Sequence, residues 1–185
     1  MKKIVVIIVC IVFCAGCKDP DPRRPISVKS GSFTKNSVER NKKILKLEES
    51  LFKKIIEKDT ANQYLRSSNG YWYFYNKKAD STAYQLRTDD LVKITYDLRN
   101  TANDTIYNQN NIGELTIKVD KEELFPGLRT GIKLMREGET VTFLFPSSMA
   151  FGYHGDTKKI GVNVPLMSTV RILQVIERSR DTITN

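Results

Sequence analysis

At 185 residues, 40% of them hydrophobic and 28% charged, the chain has room for one folded domain with extensions and is too apolar to be disordered throughout. The formal charge of +9 sits on lysines and arginines interspersed with Asp and Glu, and no basic block interleaved with aromatics marks a nucleic-acid surface. Three cysteines, all before residue 18, and a single histidine exclude a disulfide framework, a cysteine nucleophile and a thiolate metal site from the rest of the chain, so neither metal nor cofactor is expected.

Residues 1–16 order a positive start (Lys2, Lys3), an apolar run from Ile4 to Phe13 and then small residues, the pattern of a secretory signal. The run is shorter than the ~20 residues that a membrane span needs. Its end, Cys14-Ala-Gly-Cys17, resembles the bacterial lipobox, with Cys14 where Leu is usual. That resemblance implies a Cys17 that carries lipid and anchors the mature chain in the cell envelope, on the periplasmic side or in the outer membrane. Cleavage by the ordinary signal peptidase is the alternative. The excess of positive charge fits a face towards anionic lipid or glycan. Residues 17–35 crowd Pro20, Pro22 and Pro25 among charges without apolar periodicity, which predicts an extended tether.

An amphipathic helical segment is expected over 36–66, with the pattern itself running from Asn36 to Lys58. Asn36 and Glu39 read as a capping box. Ile44, Leu47, Leu51 and Ile55 recur at helical spacing, flanked by Leu45, Phe52 and Ile56. The stripe either packs on the chain's own domain or joins two copies in a homodimer through residues 36–58.

Strands follow Asn69-Gly70. Residues 71–75 (YWYFY) are aromatic and β-prone. Val92, Ile94, Tyr96 and Leu98 alternate with Lys93, Thr95 and Asp97; Leu115, Ile117 and Val119 alternate next, then Val141, Phe143 and Phe145. A mostly apolar strand at 166–176 closes the domain of residues 67–178, leaving a tail at 179–185. Between the third and fourth strands, Leu128, Ile132 and Met135 share one side of a short helix that starts near Pro126 and stops at Gly138. Strands with one covering helix predict an α+β fold: a curled antiparallel sheet of five to six strands around one short helix, preceded by the N-terminal amphipathic helix. The connection from Pro146 to Pro165 is long, aperiodic and too apolar for disorder, so it is expected to fold over something.

Residues 123–155, ELFPGLRTGIKLMREGETVTFLFPSSMAFGYHG, resemble the central signature of the FKBP-type peptidyl-prolyl cis-trans isomerases: an apolar pair, spaced glycines, Met, Gly-Glu, a strand, a proline-containing turn and an Ala-aromatic-Gly. IGVNVPL stands where that family has Ile-Pro-Pro-Asn and a following Leu, KITYDL resembles its Val-x-Tyr strand, DTIYN its Phe-Asp element, and NGYWYFYNK the extra strand of secreted and lipidated members. With the lipobox, the whole chain is similar to the gliding-motility-associated FKBP-like lipoproteins of Bacteroidota. The resemblance implies a substrate pocket formed by Tyr96, Tyr107, Asn108, Leu115, Leu124, Phe125, Leu128, Phe151, Ile160 and Ser168. Leu128 stands in place of a floor tryptophan, Phe151 in place of a tyrosine whose hydroxyl donates to the substrate carbonyl, Asn108 in place of a carboxylate and Ser168 in place of a phenylalanine.

Such a pocket suits its reaction. Rotation about an X-Pro bond meets a barrier of about 18–20 kcal/mol from amide resonance, and no proton need move. An apolar hollow that prefers the twisted amide to the planar one is sufficient, which tolerates a chain with no cysteine beyond Cys17 and with His154 alone. The implied activity is a weak isomerase on proline-containing segments of exported proteins, supporting gliding or secretion machinery. The alternative is a binding module on the same fold, a holdase or structural subunit, because the substitutions keep the cavity and remove polar orientation. Taken one at a time, the apolar residues fit an ordinary sheet core, Tyr96 an ordinary strand tyrosine, and His154 a solvated loop residue for which Asp156 is a neighbouring partner.

Overall fold

The computed structural model describes residues 30–179. The signal segment, the lipid-bearing Cys17 and the proline cluster expected before residue 30 lie outside the described residues, as does the tail from 180. The first helix, α1 (Ser30–Lys58), starts at Ser30, so residues 30–35, expected as tether, are helical and Asn36 lies inside the helix. Once an amphipathic segment has formed its nucleus, each further residue adds a hydrogen bond, and the helix extends past a weak cap signal. The helix ends at Lys58 as expected. No described helix is long and apolar enough to cross a membrane.

The other elements are β1 (Leu65–Arg66), β2 (Trp72–Lys77), β3 (Leu91–Tyr96), β4 (Leu98–Arg99), β5 (Thr105–Tyr107), α2 (Gln109–Ile112), β6 (Leu115–Lys118), α3 (Pro126–Gly131), β7 (Thr140–Phe145) and β8 (Leu166–Glu177). The antiparallel sheet runs β1-β2-β7-β8-β3-β6, and β4 pairs with β5 and with β8 off that path. All five expected strands are present. The strand expected through Leu98 breaks after Tyr96, so that Leu98 opens the separate β4, and the structure adds β1 and β5, which at two or three residues are too short to show a period in sequence.

One face of the sheet holds the main core. Val141, Phe143 and Phe145 of β7 pack with Val92 and Ile94 of β3, Leu166, Val170 and Ile172 of β8, and Leu128 of α3. After α3 a 3₁₀ turn (Ile132–Leu134) carries Ile132 and then Met135 inward on the same side as Leu128. Gly127 permits that approach, because a Cβ there would stand 2.4 Å from Phe145 Cδ1 and 2.7 Å from the Met149 carbonyl oxygen.

The opposite face explains why β7 is buried on both sides. Leu144 and Met167 point away from the main core and meet Phe52 of α1, with Ile55, Ile56, Tyr64 and Trp72 packed around them. The helical stripe is therefore divided: Phe52 is buried on its own domain, while Leu45, Leu47 and Leu51 remain exposed.

Candidate functional site

Every residue of the sequence-expected pocket except Asn108 and Ser168 falls in one contiguous apolar cluster. Phe125, Leu128 and Ile160 are buried in it, and Tyr96, Tyr107, Leu115, Leu124 and Phe151 are half-buried against it. The set combines covered residues with partly exposed, largely aromatic ones. Its parts come from distant elements. Tyr96 ends β3, Tyr107 ends β5, Leu115 opens β6, Leu124 and Phe125 lead into α3, and Phe151 and Ile160 belong to the long connection.

Leu128 is fully covered, so the leucine in place of tryptophan leaves a closed floor. The Phe151 ring lies tilted on Phe125, centroids 5.3 Å apart, and Phe125 meets Phe145 edge to face at 5.4 Å. Phe145 in turn stacks on Phe143 at 5.2 Å. This aromatic series ties the connection to the strand beneath it, each pair adding an attraction beyond the area it buries.

Ser168 and Asn108 take other places. Ser168 is buried opposite Phe143 in the ladder, and its hydroxyl donates to the Asp97 carbonyl oxygen at 2.7 Å. The smaller side chain therefore serves the irregular step between β3 and β4. Asn108 is exposed and caps α2: its Oδ1 accepts from the Asn111 N–H at 2.7 Å, and the Asn111 carboxamide oxygen accepts from the Asn108 N–H at 3.3 Å. Its acceptor is committed to the helix end and not to the apolar rim.

The carboxylate beside the rim comes from Asp156 instead. Tyr107 donates its hydroxyl to Asp156 Oδ2 at 2.5 Å, and Asp156 Oδ1 accepts the backbone N–H groups of Lys158, Lys159 and Ile160 at 2.8, 2.9 and 2.7 Å. Burial opposes the charged form, but the Tyr107 hydroxyl and the three amides outweigh it and bring the Asp156 carboxyl down to about 2. Reciprocally, the hydrogen bond to Asp156, aided by burial, raises the Tyr107 phenol. The Lys159 ammonium lies 5.0 Å from the centroid of the Tyr107 ring. Asp156 thus pairs with Tyr107 and the loop amides, while His154 meets Tyr153 edge to face, ring centroids 5.8 Å apart.

Sequence reading did not single out Asp156 as part of the site. The signal available was an Asp followed closely by a turn, since a carboxylate readily accepts backbone N–H groups two to four residues on. The rim also holds an uncommitted donor. The Tyr96 hydroxyl has no hydrogen-bond partner among the described residues, and burial raises its phenol.

The comparisons with known proteins agree with this architecture. The family model described as FKBP-type peptidyl-prolyl cis-trans isomerase matches residues 83–173. The chain is 26% identical over 109 residues to a probable FKBP-type peptidyl-prolyl cis-trans isomerase, FkpA, of Neisseria meningitidis serogroup B; the match takes in 59% of this chain and 39% of that protein, so the chain spans about two fifths of that relative's length. Among solved structures, FkpA from Escherichia coli superposes with a TM-score of 0.58 at 22% identity, covering 97% of this chain and 84% of that one. A peptidyl-prolyl cis-trans isomerase from Pseudomonas syringae pv. tomato gives 0.57 at 16% identity, covering 72% and 93%. Residues 83–173 thus form a domain of the FKBP-type peptidyl-prolyl cis-trans isomerase family.

Proposed function

We propose that the protein is a peptidyl-prolyl cis-trans isomerase acting on proline-containing polypeptides, with the proline ring seated among Tyr96, Tyr107, Leu124, Phe125 and Phe151 over Leu128 and Ile160. The observation that carries this reading is the half-exposed aromatic rim above a fully buried floor, assembled within the family-matched segment. Desolvation by the rim favours the twisted amide, in which resonance is lost, over the planar one. The backbone at Leu124 and Phe125 receives the peptide, and the unpartnered Tyr96 hydroxyl supplies a donor that Phe151 lacks.

The test is an exchange assay on the full chain with a short peptide carrying an apolar residue before proline. The expected result is a measurable, low acceleration, rising by about threefold to tenfold in Phe151→Tyr, the range that one added hydrogen bond supplies. Binding of that peptide with no acceleration in either form would favour the second reading, a binding module without turnover. Two observations favour that module: the ring at Phe151 carries no hydroxyl, and the Asn108 acceptor is spent on a helix cap.

The finer proposals are cellular. Lipid at Cys17, after removal of residues 1–16, places the protein in the envelope, where its clients are exported chains of a gliding or secretion apparatus. Metabolic labelling with a fatty acid, lost in Cys17→Ser, tests the anchor. Exposure of Leu47 and Leu51 supports a homodimer through residues 36–58, and sedimentation before and after Leu47→Ser with Leu51→Ser tests that.

A further inference from the structure

A groove of about 460 Å³ lies between the first half of α1 and the long connection, lined on one side by Val38, Ile44 and Leu45 and on the other by Ser148 and Tyr153, with Glu48 beneath. Val38, Leu45 and Tyr153 are exposed there without apolar cover. Glu48 is the feature that marks a site. It is 4% exposed, its Oε2 accepts the Ser147 N–H at 3.1 Å, and its Oε1 is buried with no hydrogen-bond partner among the described residues. A buried carboxylate oxygen without a donor is costly, and the residue that carries it lines a cavity of ligand size with mostly apolar walls.

The chemistry of the missing partner can be narrowed. A free anion would meet Glu48. A cation would meet Lys42, which lines the same groove, and Arg40, whose guanidinium sits 5.9 Å from the centroid of the Tyr153 ring. What remains is a neutral donor attached to an apolar body. A polypeptide provides both, since every residue except proline carries a backbone N–H. The place fits as well: within three residues the connection puts Phe151 on Phe125 and Tyr153 in the groove.

We propose that this groove binds an extended polypeptide segment, with an apolar side chain between Leu45 and Tyr153 and a backbone N–H donating to Glu48 Oε1. It is a second polypeptide site, separate from the prolyl hollow and indifferent to proline. Choosing a polypeptide over another neutral ligand rests on reading the neighbouring hollow as a prolyl site.

The experiment uses the full chain and a fluorescent, proline-free decapeptide of alternating Leu and Ser, followed by anisotropy, beside the proline-peptide exchange assay. Leu45→Ser and Tyr153→Ser are each expected to weaken decapeptide binding at least fivefold while changing exchange of the short proline peptide less than twofold. Glu48→Gln, which turns an NH₂ towards the groove, is expected to weaken it about as much. A decapeptide N-methylated at alternate residues should bind the wild type at least fivefold more weakly and should lose this disadvantage against Glu48→Gln. The proposal is overturned if Leu45→Ser and Tyr153→Ser bind the decapeptide like the wild type, if excess proline peptide displaces it, or if Leu45→Ser dissolves a dimer in a protein that binds no decapeptide. Failure of the exchange assay alone, with the decapeptide bound as expected, removes the isomerase reading and leaves the groove standing.

Discussion

The floor and the roof of the candidate site are held by different forces. The floor is Leu128 on α3, set against Phe143 and Phe145 of β7 in a core where all three are fully buried. Packing holds it, and close packing has little slack. The roof is the connection from Pro146 to Pro165, which contains one 3₁₀ turn and is held by discrete polar contacts: Gly152 N–H to the Ser147 carbonyl at 2.9 Å, Asn163 N–H to the Gly152 carbonyl at 2.8 Å, and the set converging on Asp156. A floor made by burial resists change in stability. A roof made by hydrogen bonds can change function while the domain remains folded.

The largest effect is expected in the floor. Leu128→Ala removes a fully buried side chain beneath the site and is expected to cost about 3–4 kcal/mol in urea unfolding. A loss under ~1 kcal/mol would mean that the floor is loose and that the contrast with the roof is false. Gly155→Ala tests the roof. Gly155 has φ +64°, and a Cβ there would stand 2.3 Å from the Ile160 carbonyl oxygen, so the turn must open. The expected cost is about 1–3 kcal/mol, the usual price of backbone strain. Because Ile160 and Asp156 shift with the turn, the exchange rate on the short proline peptide should fall more steeply than stability does. Equal proportional losses in Leu128→Ala and Gly155→Ala would erase the distinction.

The same contrast explains what the sequence made visible. Strands β3, β6 and β7, together with α3, follow from period-two and period-three-to-four patterns because burial on one face imposes those periods, while β2 shows as an aromatic run and β8 as a mostly apolar one. Where both faces are covered the pattern blurs, as at Leu144, whose partner Phe52 lies on α1 and far away in sequence. The division of the helical stripe between Phe52 and the exposed Leu47 was likewise invisible, since periodicity shows that a stripe exists and not what covers it. Most of the expected pocket residues lie together because the glycine spacing of the family signature fixes their backbone frame. The hydrogen bonds of Asn108 and Asp156 were not legible for one reason. A short polar side chain takes whichever donor or acceptor is nearest after folding, and sequence distance from Tyr107 to Asp156 gives no hint of a hydrogen bond.

The smallest effect is the most diagnostic of how the roof is held. The Asp156 carboxyl titrates near 2 in the folded chain, below the ordinary value of 3.8. A group whose folded pKa is depressed contributes stability that is present above its unfolded pKa and lost as pH falls through the folded one. The contribution of Asp156 should therefore be complete above about pH 4–5 and fade between there and about pH 2. The group lies near the surface and is screened, so the effect is modest. Asp156→Asn removes the titration and weakens what the Tyr107 hydroxyl and the three amides donate to. Urea unfolding of the two proteins at pH 7, 5, 4, 3 and 2 should show the wild type ahead at neutral pH and the gap narrowing only below pH 5. Exchange of the proline peptide should weaken over the same acid range in the wild type, because protonation frees Tyr107 from the connection that carries Phe151 and Ile160. A gap that stays constant to pH 2 would mean that the carboxylate charge does not hold the roof, and that the Phe151–Phe125 contact, the buried Ile160 and the other hydrogen bonds of the connection keep it in place.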